Sequence, residues 1–158
     1  MKIFLIIALF SYSLFASIEF KETRYMAALD FDKERHGVLD ITDKLLILKY
    51  QEPSVETITY SQTKISIKTD DDLKEYTFKE YPQAEYMGLI LRTIINENYN
   101  SLDNMFEVTK NKDEVILTSL PIISNMVEYI EIKKTNKLKK TIILFMTNSD
   151  KITIETYN

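Results

Sequence analysis

The chain has 158 residues, a formal net charge of −4, one histidine, two glycines and no cysteine. This is one domain's length, and its mild acidity argues against the basic face of a nucleic-acid binder. Without cysteine there is no disulfide, no thiolate metal site and no residue to carry an N-terminal lipid anchor, so stability must come from the core.

Residues 1–16 read as an export signal. Lys2 is a minimal positive region, residues 3–10 are apolar, and a more polar tail ends at Ala16. Cleavage there removes one lysine and no acid, which takes the formal charge from −4 to −5. It leaves residues 17–158 as a single domain, expected to be soluble, monomeric and periplasmic. An uncleaved membrane anchor is the alternative.

From Ser17 the pattern is strand, polar turn, strand. The spacing predicts a long first strand over residues 18–31, with Tyr25, Ala27, Leu29 and Phe31 on one side, then a turn at residues 32–35. A second strand follows over 36–41. The run Leu45, Leu46, Ile47, Leu48 is apolar on both faces and predicts a central strand covered on each side. Pro53 ends it. Residues 55–60 and 64–68 alternate, with Ile58, Tyr60, Ile65 and Ile67 inward. Asp70, Asp71 and Asp72 form a turn before a strand over 73–78.

Residues 82–98 give the one long helical reading. Ala84, Tyr86, Met87, Ile90, Leu91, Ile94 and Ile95 share an apolar arc, while Glu85, Arg92 and Asn96 lie opposite with Leu89 alone among them. Pro82 suits a first turn, where its missing N–H has no intrahelical partner. Further strands are expected over 105–109, 115–120, 127–133, 138–146 and 152–157, joined by short turns. Strands this close must pair antiparallel.

About eleven strands and one helix predict a mainly β fold, with a strongly curved antiparallel sheet and the helix against its concave face. That junction can enclose an apolar space suited to an acyl chain, or close into an ordinary packed core. The residues expected to line it are Leu46, Leu48, Ile58, Tyr60, Ile65, Ile67, Met87, Ile90, Leu91, Ile94, Ile130, Ile132, Ile142 and Leu144.

Four stretches resemble the LolA family of periplasmic lipoprotein carriers and the wider LolA/LolB-like fold. They are F-K-E-T-R-Y at Phe20 to Tyr25, G-V-L-D-I running on to K-Y-Q-E-P at Gly37 to Pro53, V-I-L-T-S-L-P at Val115 to Pro121, and N-S-D-K-I-T-I at Asn148 to Ile154. The resemblance implies an incomplete β-barrel closed by a helical lid, whose cavity shields the acyl chains of lipoproteins in transit from inner to outer membrane. It implies an inner-membrane lipoprotein-releasing transporter as donor and an outer-membrane acceptor. This chain departs from the family's pattern in three places. Residues 17–20 leave no room for a helix before the first strand, the sequence ends at the last strand, and the arginine that holds the lid closed, due near Thr42, is missing.

Other residues carry less. His36 is a solvated strand-end histidine, with no partner at the spacing of a catalytic triad. The Asp70 to Asp72 triplet lacks the spacing and glycine of a calcium loop. Lys133, Lys134, Lys137, Lys139 and Lys140 form the densest basic patch, a candidate partner or membrane surface, or else a solvated hairpin tip. Arg24 lies in the first strand, and the sequence does not fix whether it points toward the lid or away from it. No catalytic residue, metal or cofactor is expected. The competing functions are a carrier of acylated lipoproteins or other lipids, a periplasmic adaptor with a filled core, and, last, a hydrolase.

Overall fold

The computed structural model describes residues 17–136 and 139–157, so the expected export signal and Lys137 lie outside the described residues. In chain order the elements are β1 (Ile18–Met26), β2 (Phe31–Ile41), β3 (Leu46–Glu52), β4 (Glu56–Tyr60), β5 (Lys64–Lys68), β6 (Leu73–Thr77), α1 (Pro82–Asn96), β7 (Phe106–Lys110), β8 (Glu114–Ser119), β9 (Val127–Lys134), β10 (Lys139–Met146) and β11 (Lys151–Tyr157). The strands form one antiparallel sheet in the order β6-β5-β4-β3-β2-β1-β11-β10-β9-β8-β7. The first and last strands meet at its centre. The edges, β6 and β7, are not paired with each other, so the barrel is incomplete, and α1 spans the chain's passage from one edge to the other.

Period-2 alternation supplies the core. Directly opposed residues share a face, and the register sets Ile154, Ile142 and Ile132 side by side across β11, β10 and β9. Ile152, Leu144, Ile130 and Leu117 make the next row, and Leu39, Leu48 and Ile58 a third. Ile142, Leu144, Ile130 and Ile132 are almost wholly buried. Gly37 is required by a close approach. A Cβ there would fall 2.2 Å from the Lys49 carbonyl oxygen, beside the register shift between His36 and Gly37.

The first strand is shorter than its pattern predicts. The chain turns through a 3-10 segment at Ala27–Leu29, and Asp30 takes a left-handed φ of 46°. The Ala27 N–H donates to Asp150 and the Tyr25 hydroxyl to Asp30, which fixes the reversal there. Residues 32–35, expected as the turn, are strand, because their charges have cross-strand partners: Glu34 pairs with Lys21, and Arg35 with Glu22. Leu29 and Phe31 consequently do not share a buried face; they are 71% and 55% exposed. Nor is β3 covered on both sides. Leu46 and Leu48 are buried, but Ile47, on the convex face, is only partly so.

Topology gives the sheet two unlike rims. One carries the turns β1–β2, β3–β4, β5–β6 and β8–β9, and with them the exposed Leu29, Phe31, Val55, Leu73 and Ile122. The turns at the opposite rim, residues 42–45, 61–63 and 111–113, are polar apart from Leu45. Among the described residues no helix is long and apolar enough to cross a membrane.

Candidate functional site

The helix ends two residues earlier than its sequence pattern. Glu97 takes a left-handed φ of 57°, and its N–H and that of Asn98 close on Ile94 and Thr93. Ile90, Leu91 and Ile94 are buried against the concave face, while Ala84, Tyr86, Met87 and Ile95 pack at its border. All fourteen residues expected at the junction come together there. Leu46, Leu48, Tyr60, Ile65, Ile90, Leu91, Ile94, Ile130, Ile132, Ile142 and Leu144 are buried, and Ile58, Ile67 and Met87 are partly buried beside them. They mostly fill the space. The cavity left among Leu48, Ile58, Met87, Leu91 and Leu144 is about 60 Å³, well short of the roughly 300 Å³ at the small end of ligand pockets.

One wall of that cavity is charged. Glu22, 4% exposed, points inward from β1. Its Oε1 accepts from Arg35 Nη2 at 2.8 Å and Nε at 3.2 Å, and its Oε2 accepts from the Tyr50 hydroxyl at 2.8 Å. Arg35 Nη1 donates to Glu56 at 2.8 Å, and the guanidinium lies 3.7 Å from the centre of the Tyr50 ring. Arg24 stands 3.4 Å from Glu22 and lines the same cavity as Met87 and Leu91 of the helix. This cluster was not read from the sequence. The one signal for it, a glutamate at an inward position of β1, needed Arg35 to be on a strand, and the pattern placed Arg35 in a turn.

The helix is held at its C-terminal half by few polar bonds. Arg92 Nη1 donates to the Thr42 carbonyl at 2.7 Å, and Lys140 Nζ donates to the Ile94 carbonyl at 3.1 Å. A cation does close the helix against the Thr42 turn, but it comes from the helix side of the contact. Open grooves of about 710 and 230 Å³ flank Arg92.

The basic patch is largely neutralised. Lys133 pairs with Glu131 and Glu114, Lys139 with Glu155, and both Lys134 and Lys140 with Glu97. The Lys134 hydrogen bond, followed by that from Lys140, keeps the Glu97 carboxyl below its ordinary range, against the effect of burial. These lysines tie the sheet to the end of the helix. His36 is exposed opposite Glu52, and Asp70, Asp71 and Asp72 lie in the exposed β5–β6 turn.

No family model and no curated protein sequence matches this chain.

Burial raises the Tyr60 hydroxyl to about 12, and burial, then Glu22, raises that of Tyr50 as well. A phenol kept neutral beyond its ordinary value of about 10 stabilises the fold below that pH, and the contribution is lost as pH rises through the folded value. Burial raises the Tyr99 hydroxyl to about 12 too, so between roughly pH 10 and 12 the unfolded chain releases three phenolic protons that the fold retains. The unfolding free energy should then fall by up to about 4 kcal/mol per pH unit. Urea unfolding across that range is the check, and a flat profile would contradict the burial of these hydroxyls.

Proposed function

We propose that the protein is a non-enzymatic carrier of acylated cargo, lipoproteins or other lipids, with its helix closed over the sheet. On this reading it works in the periplasm, receiving cargo from an inner-membrane donor and passing it to an outer-membrane acceptor. One observation carries the reading: the apolar concave face of an incomplete barrel is covered by a single helix, with a cavity left at their junction. A volume of about 60 Å³ admits no acyl chain as it stands, so loading requires the helix to move. The Arg92–Thr42 bond is the contact that must break, and the grooves on either side of Arg92 leave room for that movement.

Native mass spectrometry of protein purified from its own envelope tests this. Bound lipid or acylated peptide is the expected result. Arg92→Ala should cost about 1–2 kcal/mol of stability, as for a lost hydrogen bond from a charged donor, and should speed uptake of an acyl probe. Protein that stays empty in both forms would overturn the proposal. That outcome favours a second reading, an adaptor with a filled core that docks through the rim carrying Leu29, Phe31, Val55, Leu73 and Ile122; the smallness of the cavity is its support.

A further inference from the structure

The charged wall of the cavity holds more positive charge than its acids use. Arg35 is committed to Glu22 and Glu56, and Glu22 is completed by Tyr50. Arg24 is left with a single 3.4 Å ion pair to a Glu22 oxygen that already accepts from Arg35, and its side chain is 44% exposed. Directly opposite Arg24 across the β1–β2 ladder is Lys33, so the two share the concave face. The Lys33 side chain is exposed and makes no hydrogen bond or ion pair with any described residue. Two cations opposed in register repel each other. Counted with Glu22, Glu56 and Arg35, they leave the cluster one positive charge in excess.

We propose that Arg24 and Lys33 are the head-group site of an anionic amphiphile. A carboxylate or a phosphate monoester sits between the two side chains and turns their repulsion into two charge-assisted contacts. Its apolar chain runs past Ile152 into the gap between Met87 and Leu91 on the helix and Leu144 on the sheet, residues that line the cavity together with Arg24. A cationic head is disfavoured, because both acids nearby are already satisfied by Arg35. The position of the chain rests on the carrier reading; the head-group preference rests on the two cations.

The test is calorimetric titration of the purified protein with decanoate, decyl phosphate and the uncharged decanol. Wild-type protein should bind an anionic ligand roughly tenfold or more tightly than decanol, the gain expected from half-exposed charge-assisted contacts. Preference for decanoate alone assigns a carboxylate, and preference for decyl phosphate alone a phosphate monoester. In Arg24→Gln/Lys33→Gln the preference for an anionic ligand over decanol should vanish. Lys33→Gln alone, at an exposed position, should reduce it in part and guards against misfolding of the double variant. Equal binding of all three ligands by wild type, or a preference that survives the double substitution, overturns the head-group site and leaves the carrier standing. Binding of none of them overturns both.

Discussion

Replacement of Glu22 by leucine should lower the unfolding free energy by about 3–5 kcal/mol, the usual cost of removing one partner from a buried ion pair. The magnitude follows from what is stranded. Burial works against the Arg35 charge, but the adjoining Glu22, and after it Tyr50 and Glu56, outweigh burial and hold its pKa above the ordinary value. Without Glu22 the guanidinium, whose side chain is 13% exposed, keeps only Glu56. The Tyr50 hydroxyl loses its acceptor at the same time. Removing both charges is a different case, because an apolar pair of similar volume leaves nothing unpaired. Glu22→Leu/Arg35→Met should therefore recover much of the loss, with Glu56 turning to solvent. Urea unfolding of the two variants decides it. A loss below about 1 kcal/mol in the single variant would mean that water reaches the cluster.

Most of the architecture was legible because alternation is a local signal. Eleven strands and one amphipathic helix could be read from runs such as Ile142, Leu144 and Ile130, Ile132, whose inward residues recur at every second position. The turn between β1 and β2 was not legible for the same reason. Alternation runs on through Ala27, Leu29 and Phe31, and no glycine or proline interrupts it. What breaks the strand is Asp30 in a left-handed conformation, held by contacts to Tyr25 and, through Ala27, to Asp150, more than a hundred residues away. That error hid the charged wall, since Arg35 could be matched to Glu22 only once both lay on paired strands. The basic patch failed differently. Its lysines cluster in sequence, but the glutamates that neutralise them come from β8, β9, β11 and the end of the helix. Sequence proximity reported the positive charges and not their partners. The inward residues at the junction were legible, but how fully they fill it was not, because packing density depends on how side chains interlock.

Gly88→Val should lift the helix from the sheet. A Cβ at Gly88 would lie 2.8 Å from Tyr60 Cδ1, 3.1 Å from Cγ and 3.2 Å from Cβ. These are the root and near edge of a ring that is itself 8% exposed and has little freedom to swing away. Alanine would recover about 1 kcal/mol of helix propensity against the smaller clash. Valine adds two methyl groups and a stiff χ1, so the helix must lift from β4 at a cost of about 2–3 kcal/mol. If the contact with Tyr60 is the cause, shortening Tyr60 relieves it. Tyr60→Ala alone should cost about 3–5 kcal/mol through the cavity it leaves. The double variant should then be about 1–2 kcal/mol more stable than the sum of the two losses predicts. A double-mutant cycle measured by urea unfolding gives that coupling directly. Strict additivity would mean that the helix is not seated on Tyr60, and the closed junction on which the carrier reading depends would be lost with it.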